Sequence, residues 1–223
     1  MFAAVIVAAG KGTRMGQDKL FLKVHDQPVV AHTWLKFDRH PDIACIILVI
    51  RDEMRPEFEQ LAQQLDLTKE YRLVQGGSER QDSVTNGLAA IPEDIEWVAI
   101  HDAARPCTSH ETITATLKAA QSQGAAVAAT KVVDTLKLAD GEHCISRNVD
   151  RTHLWAVQTP QAFRLSTIHQ AMEAVKEQKA SVTDDTAACE LIGQPVQLVE
   201  STALNPKVTT PGDVALVEFL LRQ

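Results

Sequence analysis

The stretch AAVIVAAGKGTRMG, residues 3–16, reads as a buried strand feeding a glycine loop. Its first six residues, Ala3–Ala8, are apolar without a break. A strand with one wet face alternates apolar and polar side chains, so an unbroken run means that both faces are covered, as in a parallel sheet between helices. The run passes straight into Ala8-Ala9-Gly10-Lys11-Gly12. Glycine lets backbone N–H groups close around a phosphate, and such concave nests bind anions. Within residues 1–25, Lys11, Arg14, Lys19 and Lys23 face only Asp18, although the whole chain carries a formal charge of −7. Cations gathered in this way attract a polyanionic ligand. Two familiar phosphate loops do not fit. The P-loop needs Ser or Thr directly after Gly-Lys, whereas Gly12 follows Lys11, and the dinucleotide fingerprint needs a glycine where Met15 stands.

Outward from this stretch, the same kind of run recurs at Ile43–Ile50 (IACIILVI), Trp97–Ile100 (WVAI) and Ala125–Thr130 (AAVAAT), with weaker versions at Tyr71–Val74 and Pro195–Val199. Helical periodicity fills the intervals. Val30, Trp34 and Phe37 repeat at i, i+4 and i+7 behind Pro28, a suitable first helical residue. Leu61 with Leu65 marks a second helix, and Ile113 with Leu117 a third, opened by Ser109 as N-cap. Val214, Val217 and Leu221 follow Pro211-Gly212-Asp213 as a fourth. Strands alternating with helices predict an α/β fold: a Rossmann-like, doubly wound, mostly parallel sheet over residues 1–223 as one domain. Right-handed crossovers then place ligands at the carboxyl ends of the strands.

Residues 131–153 (KVVDTLKLADGEHCISRNVDRTH) break the alternation, with β-branched residues around an Ala-Asp-Gly turn and little continuous apolar character. They read as a projecting β-hairpin, and an isolated hairpin is marginal alone. A second copy of the chain is the expected partner, which makes this segment a dimerisation arm.

Of the 223 residues, 45% are hydrophobic and 23% charged, ordinary globular usage and enough chain for a sizeable core. The acidic balance disfavours a general nucleic-acid binder and attraction to anionic membranes. Met1–Gly10 has no basic flank and is too short for a signal peptide. The longest aliphatic run is far below the roughly 20 residues of a membrane helix. Cys45, Cys107, Cys144 and Cys189 lie far apart, at neither metal-ligand nor redox spacing. Reduced thiols in a cytoplasmic protein are expected.

Two more clusters sit where strands end. Gly76-Gly77-Ser78-Glu79-Arg80-Gln81-Asp82-Ser83 offers small hydroxyls and free amides, suited to a base edge or, more simply, to capping a helix. His101-Asp102-Ala103-Ala104-Arg105-Pro106 sets an acid and a base three apart. That pattern suits a ligand with hydroxyls and a phosphate, or a mutual Asp–Arg pair that ties down a turn, with His101 as an oriented structural histidine. The absence of G-x-S-x-G and H-E-x-x-H argues against hydrolase elbows and zincins.

AAGKGTRMG with Lys19, GGSERQDSV, HDAARP, DTLK, VDRTHLWAVQTPQ, VTDD and PKVT, in this order, closely resembles the 2-C-methyl-D-erythritol 4-phosphate cytidylyltransferase family over essentially the whole chain. The opening loop alone would indicate only the wider nucleotidyltransferase superfamily. The resemblance implies transfer of CMP from CTP to the acceptor's phosphate with release of pyrophosphate, in isoprenoid precursor synthesis. It matches Arg14 and Lys19 to cations that stabilise the transition state. Ala8, Ala9, Gly10, Lys11 and Gly12 match the triphosphate cradle, where Mg²⁺ bridges phosphate oxygens and needs no protein cage. Gly77, Ser78 and Ser83 correspond to the cytosine site, and Asp102 and Arg105 to substrate contacts. Lys207 matches the catalytic cation that places the acceptor for attack, with Thr183 in the same site, while Arg151 matches a further catalytic residue and Thr135 a substrate contact, both in the hairpin. In the family the arm enters the neighbouring subunit, so Thr135 and Arg151 are expected to act in trans within a homodimer. Thr13 departs from a basic residue found in some relatives, which bears on the finer triphosphate contacts. A sister enzyme acting on another polyol phosphate, such as ribitol 5-phosphate, shares the glycine loop and differs at the acceptor pocket. A nucleotide sensor without turnover would not need Arg14, Lys19 and Lys207 together. Lys137 and Asp184 read either as site residues or as supports of the arm and of a helix start.

Overall fold

The computed structural model describes residues 1–10 and 19–222. Strand β1 (Phe2–Val7) is followed by a two-residue-per-side hairpin, β2 (Lys23–Val24) with β3 (Gln27–Pro28), and by α1 (Val29–Asp38). Next come β4 (Ile43–Ile50), α2 (Arg55–Gln64), β5 (Tyr71–Gln75), α3 (Arg80–Ala89), β6 (Trp97–Asp102), α4 (His110–Gln123) and β7 (Ala125–Lys131). The arm contributes β8 (Leu136–Ala139) and β9 (Ile145–Val149). The chain closes with β10 (Trp155–Arg164), α5 (Leu165–Glu177), α6 (Asp185–Glu190), β11 (Gln197–Glu200) and α7 (Pro211–Leu220).

Seven strands form one sheet in the order β11-β7-β10-β6-β1-β4-β5. All neighbours are parallel except where β10 runs antiparallel between β6 and β7. Strand residues alternate between two buried layers. Phe2, Ala4 and Ile6 join Trp34 and Phe37 of α1, Phe58 of α2 and Leu117 of α4. Ala3 and Val5 join Val84 and Leu88 of α3 with Ile168 and Met172 of α5. Helices on both faces explain why β1 is apolar at every position, as its sequence implied. Trp34 is fully buried, and truncating such a side chain to Ala typically costs about 3–5 kcal/mol.

Some boundaries differ from the sequence reading. Pro28 sits at the N-cap of α1 rather than inside it, and Leu65 caps α2 in an extended conformation. Ser109 caps α4, its hydroxyl accepting from Thr112 N–H at 3.1 Å. Strand β10 went unpredicted, because Pro160 cannot donate to a ladder. The structure accommodates it at the irregularity between Val157 and Gln161, where pairing to β7 shifts register.

The arm is a separate antiparallel pair, β8 with β9, closed by Asp140, whose carboxylate accepts from the N–H groups of Glu142 and Cys144 at 2.9 Å each. Lys137 bridges it to Asn148 at 2.9 Å, which gives that lysine a supporting contact within the arm. Val133, Leu138 and Ile145 are exposed along it. The four cysteines are free. Among the described residues, no helix is long and apolar enough to cross a membrane.

Candidate active site

Parallel strands end on one edge of the sheet, and the loops leaving β1, β4, β5 and β6 surround a cavity of about 610 Å³ there. Of the residues singled out in the sequence, Ala8, Ala9, Gly10 and Lys19 line it from the first loop, Gly77 and Ser78 from the loop after β5, and Ser83 from the first turn of α3. Asp102 and Lys207 line it from the far side. Lys11, Gly12 and Arg14 lie outside the described residues.

The first two loops pack directly on each other. A Cβ on Gly76 would stand 2.3 Å from the Ala9 Cβ, and one on Gly77 would stand 2.1 Å from the Asp82 Cβ, so both positions exclude any side chain. Gly76 N–H donates to Ile50 O at 2.7 Å, and Gly77 N–H to Ser83 Oγ at 3.0 Å. Ser83 in turn donates to Glu79 O at 3.1 Å, so its hydroxyl holds the loop in shape. Ser78 Oγ donates to Asp82 Oδ2 at 2.6 Å, tying the loop to the first turn of α3.

Strand β6 delivers Asp102 to the cavity floor. Lys207 Nζ lies 2.9 Å from Asp102 Oδ2, and Arg105 Nε lies 3.3 Å from the same oxygen. Burial alone would raise the Asp102 pKa, but the charges of Lys207, Arg80 and Arg105 outweigh it and hold the carboxyl down at about 2. Arg105 also donates to Asn205 O at 2.8 Å, so the Asp–Arg pair weighed in the sequence is present and its guanidinium braces the turn behind the cavity. His101 is wholly buried, and burial brings its pKa down to about 4. Its Nε2 lies 3.1 Å from Arg105 O, which only accepts, and its Nδ1 lies 3.0 Å from Thr159 Oγ. Because the carbonyl only accepts, Nε2 carries a proton, and Thr159 Oγ additionally accepts from Asp102 N–H at 3.1 Å. His101 is therefore a brace for the Asp102 backbone.

Other residues remain apart from the cavity of their own chain. Thr183 is exposed just before α6, and Asp184 is the N-cap of that helix, accepting from Ala187 N–H at 2.9 Å. Thr135 and Arg151 are exposed on the arm. Sequence reasoning missed Arg51, Asp52 and Glu53, which follow the carboxyl end of β4, and Arg80, which begins α3. Position after a strand end was the available signal for the first three. Arg80 stood inside a motif already quoted, hidden by its resemblance to a solvated helix residue.

Three carboxylates that line the cavity lie beside cations. Asp52 receives Arg55 Nε at 3.1 Å, Glu53 lies 3.4 Å from Arg51 Nε, and Asp102 holds two cations. No group of three or more His, Cys, Asp or Glu is arranged to hold a metal among the described residues.

A profile of the 2-C-methyl-D-erythritol 4-phosphate cytidylyltransferase family matches residues 2–223. A protein of that name from Geobacillus kaustophilus is 42% identical over 222 residues, covering 99% of this chain and 96% of its own length. One from Bacillus cereus is 39% identical over 224 residues, covering 100% and 98%. Among solved structures, 4-diphosphocytidyl-2C-methyl-D-erythritol synthase from Anaerococcus prevotii superposes with a TM-score of 0.88 at 30% identity, covering 100% of this chain and 99% of that one. The cytidylyltransferase from Thermus thermophilus gives 0.81 at 31% identity, with both chains fully covered.

Proposed function

Because the chain belongs to the 2-C-methyl-D-erythritol 4-phosphate cytidylyltransferase family, we propose that it transfers CMP from CTP to 2-C-methyl-D-erythritol 4-phosphate and releases pyrophosphate. The observation that supports this most directly is the cavity itself. Glycine loops form one wall, and opposite them Lys207 is held at 2.9 Å by Asp102.

The nucleophile is a phosphate monoester oxygen, already anionic at neutral pH, so no Ser-His-Asp relay is required. The barrier lies in bringing two polyanions together and stabilising charge at the α-phosphorus, which positioning and electrostatics supply. The Ala8–Gly12 amides cradle the triphosphate, and Arg14 and Lys19 meet the charge that develops as pyrophosphate leaves. Gly77, Ser78 and Ser83 form the cytosine side, where swapped donors and acceptors reject uracil. Lys207 turns from Asp102 to the acceptor phosphate, with Thr183 in the same subsite. The triphosphate held on the Ala8–Gly12 loop would carry a Mg²⁺, which would supply charge neutralisation at the phosphate oxygens.

The arm serves a second copy of the chain. Thr135 and Arg151 lie outside their own cavity, and the exposed Val133, Leu138 and Ile145 give the arm an apolar surface to bury. The working enzyme is a homodimer in which each arm completes the partner's site. Free cysteines accord with a cytoplasmic location.

Phosphorus NMR with CTP, Mg²⁺ and one acceptor at a time tests the assignment. Pyrophosphate appears with methylerythritol phosphate and not with ribitol 5-phosphate. Turnover with ribitol 5-phosphate alone, or nucleotide binding without turnover, overturns it.

A further inference from the structure

Arg80, the first residue of α3, meets Asp185, the first of α6, fork to fork. Nη1 lies 2.8 Å from Oδ1 and Nη2 lies 2.7 Å from Oδ2. Asp185 is 1% exposed, while the Arg80 side chain keeps 28% of its surface and lines the cavity. A buried ion pair is a weak source of stability, because desolvation offsets much of the attraction and an apolar pair of equal volume holds two helices as well. What a fork adds is direction: two parallel bonds fix both distance and orientation.

The pair does not act alone. Gln81 accepts from Val182 N–H at 3.3 Å and donates to Ala180 O at 3.5 Å. From β10, Gln161 accepts from Asp185 N–H at 3.1 Å and donates to Asp184 Oδ2 at 3.0 Å. Residues 180–185, with Thr183 among them, thus hang on side chains from two elements. One is the sheet. The other is the start of α3, which continues without a break from the Gly76–Glu79 loop.

We propose that the Arg80–Asp185 fork is a positioning latch that sets the Thr183 segment against the nucleotide loop, so that capture of the acceptor phosphate depends on the geometry of Gly76–Ser83. This rests on the reading of Thr183 as an acceptor contact and of that loop as the cytosine side. Both terminal nitrogens of Arg80 point at Asp185, so it is a positioning residue rather than one that touches the reacting atoms. Lysine cannot replace it, since a single ammonium has no planar fork.

Arg80→Lys, Asp185→Asn and the milder Gln81→Ala test the latch, with melting temperatures recorded for each. The expected result is a rise in acceptor KM of about 10- to 100-fold for the first two. Gln81→Ala, which leaves the buried pair intact and keeps the test open if the others fold poorly, moves KM in the same direction by less. The CTP dissociation constant, measured without acceptor, stays within about 3-fold. Hydrogen exchange gives a readout that needs no turnover and so stands whichever polyol phosphate is the acceptor. CTP binding slows exchange at the Val182 and Asp185 amides in the wild-type protein and no longer does so in Arg80→Lys or Gln81→Ala. Unaltered protection in those variants overturns the latch. So does a parallel loss of CTP affinity and kcat, which would put Arg80 on the nucleotide, or a lowered melting temperature with acceptor KM unchanged, which would leave only a structural pair.

Discussion

Replacing Asp102 with Asn keeps the side chain's size and removes its charge, and the structure supplies the magnitude. Asp102 is 9% exposed, and burial would raise its pKa, yet Lys207, Arg80 and Arg105 bring it from 3.8 down to about 2. At about 1.4 kcal/mol per tenfold, this drop corresponds to about 2 kcal/mol in favour of the ionised carboxyl in the folded chain. A carboxyl whose pKa is lower folded than unfolded contributes stability above the unfolded value and loses it as pH falls through the folded one. The contribution is therefore nearly full down to about pH 4, about half lost near pH 3, and gone below about pH 2. Urea unfolding of wild type and Asp102→Asn at three pH values measures it. The wild-type advantage is about 2 kcal/mol near neutrality and about 1 kcal/mol near pH 3. A gap that stays constant across this range, or widens in acid, refutes the claim that three cations hold Asp102 ionised.

The remaining predictions address the proposed chemistry. Lys19→Ala lowers kcat about 10²- to 10³-fold with a smaller change in CTP affinity, read from steady-state pyrophosphate release; near-normal turnover removes Lys19 from the transition state. Mixing inactive Lys19→Ala with inactive Arg151→Ala restores part of the activity, because one site of each mixed dimer carries neither defect; subunit exchange without recovery shows that the arm does not act in trans. Gly76→Ala drives a Cβ to 2.3 Å from the Ala9 Cβ, so its melting temperature and CTP affinity both fall, whereas Gly10→Ala, with no described residue within 4 Å of the new Cβ, leaves the melting temperature nearly unchanged. Equal melting temperatures for the two would mean that the loops do not touch.

How much of this was legible in the sequence follows from what each residue packs against. β1, β4, β6 and β7 were readable because helices cover both faces and keep the runs apolar, with only Thr130 polar at the end of the last. The arm was readable for the opposite reason, a β-branched segment without apolar continuity. β10 was not. Its buried Thr159 and Gln161 are satisfied by His101, Asp102 and Asp185 from distant parts of the chain, so the strand has a polar interior and no apolar period. The same holds in the site. Glycine loops announce themselves locally, but the pairing of Asp102 with Lys207 or of Arg80 with Asp185 joins residues about a hundred positions apart, and a single charged residue carries no mark of a remote partner.

Those pairings also lower the negative charge that a polyanion would meet at the cavity of a chain of charge −7. A buried unpaired carboxylate beside the cavity would repel a triphosphate strongly, since Coulomb interactions weaken little where water is excluded. Here three of the lining carboxylates, Asp52, Glu53 and Asp102, each have a cation within 3.4 Å. Asp102 has two, and the second matters for the proposed reaction. When an acceptor phosphate takes Lys207 from Asp102, the carboxylate would become a lone buried charge unless another cation stayed with it, and such a charge is costly. Arg105 Nε remains at 3.3 Å, itself anchored on Asn205 O. In the proposed reaction, the turn behind the cavity would let Lys207 exchange a carboxylate for a phosphate without leaving an orphaned anion.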